Sequence, residues 1–213
     1  MNSSRTIYKF IEMTLPNQLT VLRIILTPIF IILFLSERTI LRQISLFVFL
    51  IAALTDWYDG WIARRMGKVT RWGIFLDPLA DKILTSSAFF VFAADGFAQW
   101  WMVWAIVVRD ISITLLRSLS ELRGQTVHTN YTAKVKTALQ MVFIYTVLIA
   151  VVGRDSLSAL RGVTLIILNR DVLYYSMLVV TVVTLGTGLQ YLVENFRLIQ
   201  SSLRLSSGRA ESE

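Results

Sequence analysis

Residues 56–81 read DWYDGWIARRMGKVTRWGIFLDPLAD. Four of the chain's 14 acidic residues, Asp56, Asp59, Asp77 and Asp81, fall in this stretch, and apolar runs at 44–54 and 83–94 press on it from both sides. Carboxylates at the edge of hydrocarbon are expensive and usually mark a site. Asp56 and Asp59 are three residues apart, so on a helix they share a face, which Gly60, Ala63 and Arg64 extend. Gly73, Asp77 and Asp81 recur every four residues, again on one face. Two helices joined by a short turn around Gly67 would bring the two carboxylate pairs together. Such a cluster repels itself unless cations neutralise it, and all-oxygen donors suit hard divalent ions such as Mg²⁺ or Mn²⁺. Gly60 and Ala63 leave room for something large against the helix, and Arg64 offers a fork for phosphate oxygens. The expectation is a two-metal site for a diphosphate substrate.

Outward from this stretch the chain is dominated by hydrophobic runs: 55% of its 213 residues are apolar. Spanning a bilayer as a helix takes roughly 20 residues, and six segments are predicted to do so, at about 19–35, 40–64, 72–94, 100–119, 133–152 and 172–196. No alternation of period two runs through them, which argues against a β-barrel. The predicted fold is an all-α integral membrane protein, a six-transmembrane-helix bundle occupying residues 16–197. Residues 1–15 hold Ile7, Phe10, Ile11 and Met13 with Arg5 and Lys9, the makings of a short amphipathic helix on the membrane surface. Residues 198–213, rich in Ser, Arg and Glu, are expected to form a disordered tail. The first apolar run starts late and is too long for a cleavable signal, so none is expected. Cysteine is absent, which excludes disulfides.

The net charge of +7 is unevenly spread. With both termini inside, thirteen of the 21 Lys and Arg residues lie on inner segments and five (Arg38, Arg42, Arg154, Arg161, Arg170) on outer loops. This bias puts both termini and the carboxylates at the cytoplasmic face. Basic charge there suits anionic lipids and anionic substrates. No nucleic-acid partner is expected, because no soluble domain carries the charge.

Other polar residues punctuate the runs. Asn17, Thr20 and Arg23 recur every three residues after Pro16; a helix cap needs Asn17 alone, so the trio reads as a polar wall. Trp100, Trp101 and Trp104 sit where an outer aromatic belt belongs. The fourth run contains Arg109, Asp110 and Arg117, and the fifth opens with Lys134, Lys136 and Thr137. Neighbouring residues diverge on a helix, so Arg109 is not expected to pair with Asp110, and Lys82 is expected to point away from Asp81. His128, the one histidine, reads as solvated. In the outer loop at 153–171, Val163–Leu168 is too short to span and is expected to rest on the surface as a helix. Gly186 and Gly188 would allow close helix contact.

The pattern Asp56-x-x-Asp59-Gly60-x-x-Ala63-Arg64, eight residues, Gly73-x-x-x-Asp77-x-x-x-Asp81 resembles the signature of the CDP-alcohol phosphatidyltransferases, with every position filled. The resemblance implies a six-helix membrane bundle, usually a homodimer, in a bacterial inner membrane. It implies that Asp56, Asp59, Asp77 and Asp81 hold two divalent metals, with Asp81 also the base that deprotonates the acceptor hydroxyl. It implies that Gly60, Ala63 and Gly73 let the cytidine lie close, and that Arg64, Thr70, Asn17 and Thr20 contact the nucleotide and diphosphate of CDP-diacylglycerol. The opening Pro16–Arg23 segment, Arg109, Arg117 and the Lys134–Thr137 segment resemble the bacterial subfamily that uses glycerol 3-phosphate. Arg109, Arg117, Lys134 and Lys136 would then bind the acceptor phosphate. That subfamily usually has Glu where Asp110 stands and Gly where Ala133 stands. Three other readings stay open: the same chemistry on inositol phosphate, serine or phosphatidylglycerol; an ion-coupled transporter using intramembrane carboxylates; and a non-catalytic scaffold.

Overall fold

Long apolar runs without period-two alternation fold here as helices. The computed structural model describes residues 15–66, 71–122, 131–156 and 161–195, with 15–18, 56–66, 71–75, 122, 131 and 155–156 described by backbone alone. Seven helices account for almost all of it: α1 (Leu15–Phe34), α2 (Thr39–Met66), α3 (Arg71–Ala94), α4 (Trp100–Leu122), α5 (Tyr131–Ser156), α6 (Arg161–Ile167) and α7 (Arg170–Glu194). No strand occurs among the described residues. The predicted N-terminal amphipathic helix, the C-terminal tail and His128 lie outside them. The chain divides into two compact units, Met1–Leu84 and Thr85–Glu213, the boundary falling inside α3.

In the first unit α1 packs on α2. Phe30, Phe34 and Phe49 are fully buried, with ring centroids 5.9 Å (Phe30–Phe34) and 5.1 Å (Phe30–Phe49) apart. Lipid tails are as apolar as these rings, so close packing and not water exclusion holds such helices together in a bilayer. Each tilted aromatic pair adds about 0.5–1.5 kcal/mol. At the α1–α2 turn the Arg42 guanidinium lies 5.7 Å from the Phe34 ring centre, and Arg42 Nε donates to the Ser36 carbonyl at 3.0 Å. Pro28 lies inside α1, just after Thr27, whose hydroxyl donates to the Arg23 carbonyl at 2.9 Å.

In the second unit the end of α3 packs on α4 and α5 through aromatic pairs, Phe90 against Trp104 at 5.1 Å and Phe89 against Phe143 at 6.1 Å. The turn predicted at Asp95–Gly96 is present. Gly96 adopts φ +80°, a left-handed conformation that favours glycine. Phe97 N donates to Phe92 O at 2.8 Å and Gly96 N to Ala93 O at 3.2 Å, the two bonds that close a helix end around such a residue. The short helix expected near Val163–Leu168 is α6, which packs on α5 and α7 and buries Thr164. It meets α5 at Gly153, where a Cβ would lie 3.3 Å from Thr164 Cγ2. The Asn169 side chain accepts from Asp171 N at 2.9 Å and starts α7.

Among the described residues, two stretches are long and apolar enough to cross a membrane, Thr132–Arg154 and Arg170–Glu194; Leu19–Phe34 and Thr39–Thr55 are shorter apolar helices. Charged residues within α3 and α4 break up their apolar runs. Many large apolar side chains are exposed, and several polar and charged ones are buried beside the apolar core. Ile32 is 71% exposed and Leu189 66%, while Arg23, Asp110, Lys136 and Gln140 are buried. Apolar exteriors, with the polar groups turned inward, are what a hydrocarbon solvent selects. Trp100, Trp101 and Trp104 face outward at the start of α4, as an interfacial belt requires.

Candidate active site

The last turns of α2 carry Asp56, Asp59, Gly60, Ala63 and Arg64, and the first turns of α3 carry Gly73, Asp77 and Asp81. The helical backbone therefore gives both halves of the signature the spacing read from the sequence. Thr70 lies outside the described residues, as do the side chains of Asn17, Asp56, Asp59 and Arg64.

Where side chains are described, they build a site. Thr20 is 2% exposed on α1, and its hydroxyl donates to Asp77 Oδ1 across 57 residues of sequence. Of the polar face predicted on the first span, Thr20 thus reaches one signature carboxylate, Asp77. Arg23, three residues on and wholly buried, attracts the Asp77 charge. Pro78 follows Asp77 and supplies no N–H to the Ile74 carbonyl, which loosens the helix between the two carboxylates. Asp81 Oδ2 accepts from Lys82 Nζ at 2.6 Å. The expectation that Lys82 points away is wrong: Cβ directions diverge, but the four-carbon lysine stem folds back.

Carboxylate oxygens are the donor type that hard divalent ions take. Asp77 and Asp81 stand one turn apart, both partly accessible, with one Asp77 oxygen engaged by Thr20. No group of three metal-ligating side chains occurs among the described residues, and the side chains of Asp56 and Asp59 lie outside them. Thr20→Val keeps the volume and removes the donor. A hydrogen bond to a charged group contributes about 1.5–3 kcal/mol, so kcat/KM for the nucleotide-bearing substrate is expected to fall about 10- to 150-fold. Steady-state rates on purified protein check this; an unchanged value would make Thr20 a packing residue only.

The predicted basic residues fall into two environments. Lys136 is 3% exposed and Asp110 4%, with Lys136 Nζ 2.8 Å from both Asp110 oxygens. Arg109 Nη1 lies 3.0 Å from Asp110 Oδ1, so the expectation that these neighbours do not pair is also wrong, again because the side chain is long. Arg117 Nε pairs with Glu121 at 2.8 Å in a more exposed position. Lys134 is exposed, two residues and so slightly more than half a helical turn from Lys136, on the opposite face of the helix. Gly188 accommodates the Arg109 side chain, while nothing lies within 4 Å of a Cβ placed on Gly186. Sequence reading did not pick out Gln140, Thr184 and Thr187, which join this cluster. Their signal was polarity inside otherwise apolar spans.

Among the described residues the architecture is all-helical, with the carboxylate-bearing signature carried on the α2 end and the α3 start, the class of helical membrane protein that the signature belongs to. The chain belongs to the CDP-alcohol phosphatidyltransferase family, whose model matches residues 13–185. It is similar to the CDP-diacylglycerol–glycerol-3-phosphate 3-phosphatidyltransferases of Salmonella typhimurium strain LT2 and Escherichia coli strain K12. Each is 38% identical over 136 residues, covering 62% of this chain and 74% of the relative. The Bacillus subtilis strain 168 protein of the same name is 36% identical over 147 residues, 63% of this chain and 76% of its own length.

Proposed function

We propose that this chain transfers the phosphatidyl group of CDP-diacylglycerol to glycerol 3-phosphate, giving phosphatidylglycerophosphate and CMP. The observation that carries the reading is the complete signature, set on helices at the required spacing, in a chain whose bacterial relatives bear that activity as their name. The acceptor hydroxyl oxygen bonds to the phosphorus that carries the diacylglycerol. The bond from that phosphorus to the bridging oxygen breaks, and CMP leaves with the electron pair. Asp81 takes the hydroxyl proton. Asp56, Asp59, Asp77 and Asp81 would hold two divalent cations, Mg²⁺ or Mn²⁺, which when bound neutralise the diphosphate and the leaving CMP. Thr20 orients Asp77 by its hydrogen bond. Gly60, Ala63 and Gly73 leave space for cytidine, and Asn17, Arg64 and Thr70 complete the nucleotide contacts. Arg109, Arg117, Lys134 and Lys136 supply positive charge for the acceptor phosphate.

The working form is a homodimer of six-span chains in a bacterial inner membrane, with both termini and the site on the cytoplasmic side. Family membership and the inward bias of Lys and Arg support this arrangement. The test is an acceptor panel: purified protein, CDP-diacylglycerol, and radiolabelled glycerol 3-phosphate, serine, inositol phosphate or phosphatidylglycerol. CMP release and lipid labelling with glycerol 3-phosphate alone are expected. Labelling from another alcohol in its place removes the acceptor assignment, and substrate movement without CMP release returns the transporter reading.

A further inference from the structure

Asp110 is the meeting point of three helices. Its Oδ1 accepts from Lys136 Nζ at 2.8 Å and Arg109 Nη1 at 3.0 Å. Its Oδ2 accepts from Lys136 Nζ at 2.8 Å and Gln140 Nε2 at 3.1 Å. The Gln140 amide also reaches Thr184 Oγ1 on α7 at 3.3 Å, and Arg109 Nη2 donates to Thr187 Oγ1 at 3.1 Å. A Cβ on Gly188 would fall 2.6 Å from Arg109 Nε, so α7 keeps a slot open for that side chain. One carboxylate, one turn of α5 and one turn of α7 therefore fix the direction of two cationic side chains.

Helix packing alone does not call for such a cluster. Desolvation offsets much of a buried ion pair's attraction, and apolar side chains of similar volume often replace the pair with no loss of stability. Ionised groups within a membrane span are costlier still and point to function. The cluster also lies on the helices that carry the accessible bases. Arg117 is eight residues further along α4, and Lys134 is two residues before Lys136 on α5. Arg109 Nε is buried with no hydrogen-bond partner among the described residues, a donor that helix packing there does not use.

The geometry points to Asp110 as a positioning residue for the acceptor's phosphate, acting through Arg109 and Lys136 and held in its own rotamer by Gln140. This rests on the reading that the acceptor is glycerol 3-phosphate. Asp110 does not touch substrate. It sets the orientation of the two cations, so its loss weakens acceptor binding and leaves the liponucleotide site as it was.

The test measures both KM values in purified enzyme. For Asp110→Asn, the KM for glycerol 3-phosphate is expected to rise about tenfold or more, with that for CDP-diacylglycerol within about twofold. Asp110→Glu, which keeps the charge on a longer stem, is expected to recover most of the acceptor affinity. Should Asp110→Asn fail to fold, Gln140→Met, which keeps the side-chain volume and both cations, releases the Asp110 rotamer instead. It is expected to stay folded and still show a raised acceptor KM. A folded variant with wild-type acceptor KM, or one with both KM values raised alike, overturns the inference and reduces the cluster to a helix staple. Wild-type enzyme that does not turn over glycerol 3-phosphate overturns the acceptor reading itself, before any variant is compared.

Discussion

Asp81→Asn is expected to lower kcat by about 10²–10⁴-fold, the contribution typical of a positioned general base, in a protein that stays folded. Asparagine preserves the side-chain shape but takes no proton and is a poorer ligand for a hard cation. The fold is expected to tolerate it. The Asp81 side chain is 20% exposed, and one of its partners is the neighbouring Lys82, whose ammonium can still donate to an amide oxygen. Because asparagine keeps an acceptor oxygen for Lys82, the hydrogen bond is retained although the ion pair is lost, and no donor is left without an acceptor. The same substitution therefore separates chemistry from structure, which Asp77→Asn does less cleanly because Asp77 is tied to buried Thr20 on another helix. CMP release from CDP-diacylglycerol in a single turnover, together with the Tm, checks both halves. A variant retaining more than about a tenth of wild-type kcat would place the base elsewhere. A scaffold would lose nothing.

The physics that made the helices legible is one-dimensional: long apolar runs, absence of period-two alternation, and a glycine where the chain must turn. Gly96 and the Asp77–Asp81 spacing were readable on those grounds. Three-dimensional features were not. Arguing from Cβ direction missed the contacts of Lys82 with Asp81 and Arg109 with Asp110, because long flexible stems reach where the backbone vector does not point. The Asp110 cluster joins residues 26 and 30 positions apart, and its members Gln140 and Thr184 sit in runs whose average character is apolar. Gly186 and Gly188 look alike in sequence, yet only Gly188 meets a neighbouring side chain among the described residues. What a run averages away, a site uses. The Thr20 contact with Asp77 lies between these cases, since the polar face of α1 was visible but its partner was not.

Removal of divalent cations is expected to abolish turnover, to below about 1% of the untreated rate, and to do so reversibly and without unfolding. The two halves of that expectation come from different residues. On the proposed two-metal reading, turnover would depend on Asp56, Asp59, Asp77 and Asp81 acting together, through the cations, on a diphosphate whose own negative charge they would otherwise repel. Folding does not, because the described contacts of the carboxylates are met by the chain itself: Thr20 donates to Asp77 and Lys82 to Asp81. The aromatic packing of α1 on α2 involves no carboxylate either. Treating the purified protein with EDTA should therefore stop CMP release while the far-ultraviolet circular dichroism stays at its helical value. Adding Mg²⁺ or Mn²⁺ should restore the rate. Ca²⁺ should restore it poorly, since its ligand distances of about 2.3–2.6 Å exceed the roughly 2.0–2.1 Å of Mg²⁺ and loosen the grip on the diphosphate. Persistent activity in EDTA would remove the two-metal reading, and loss of helicity along with activity would mean that the carboxylates hold the fold through a cation and not through Thr20 and Lys82.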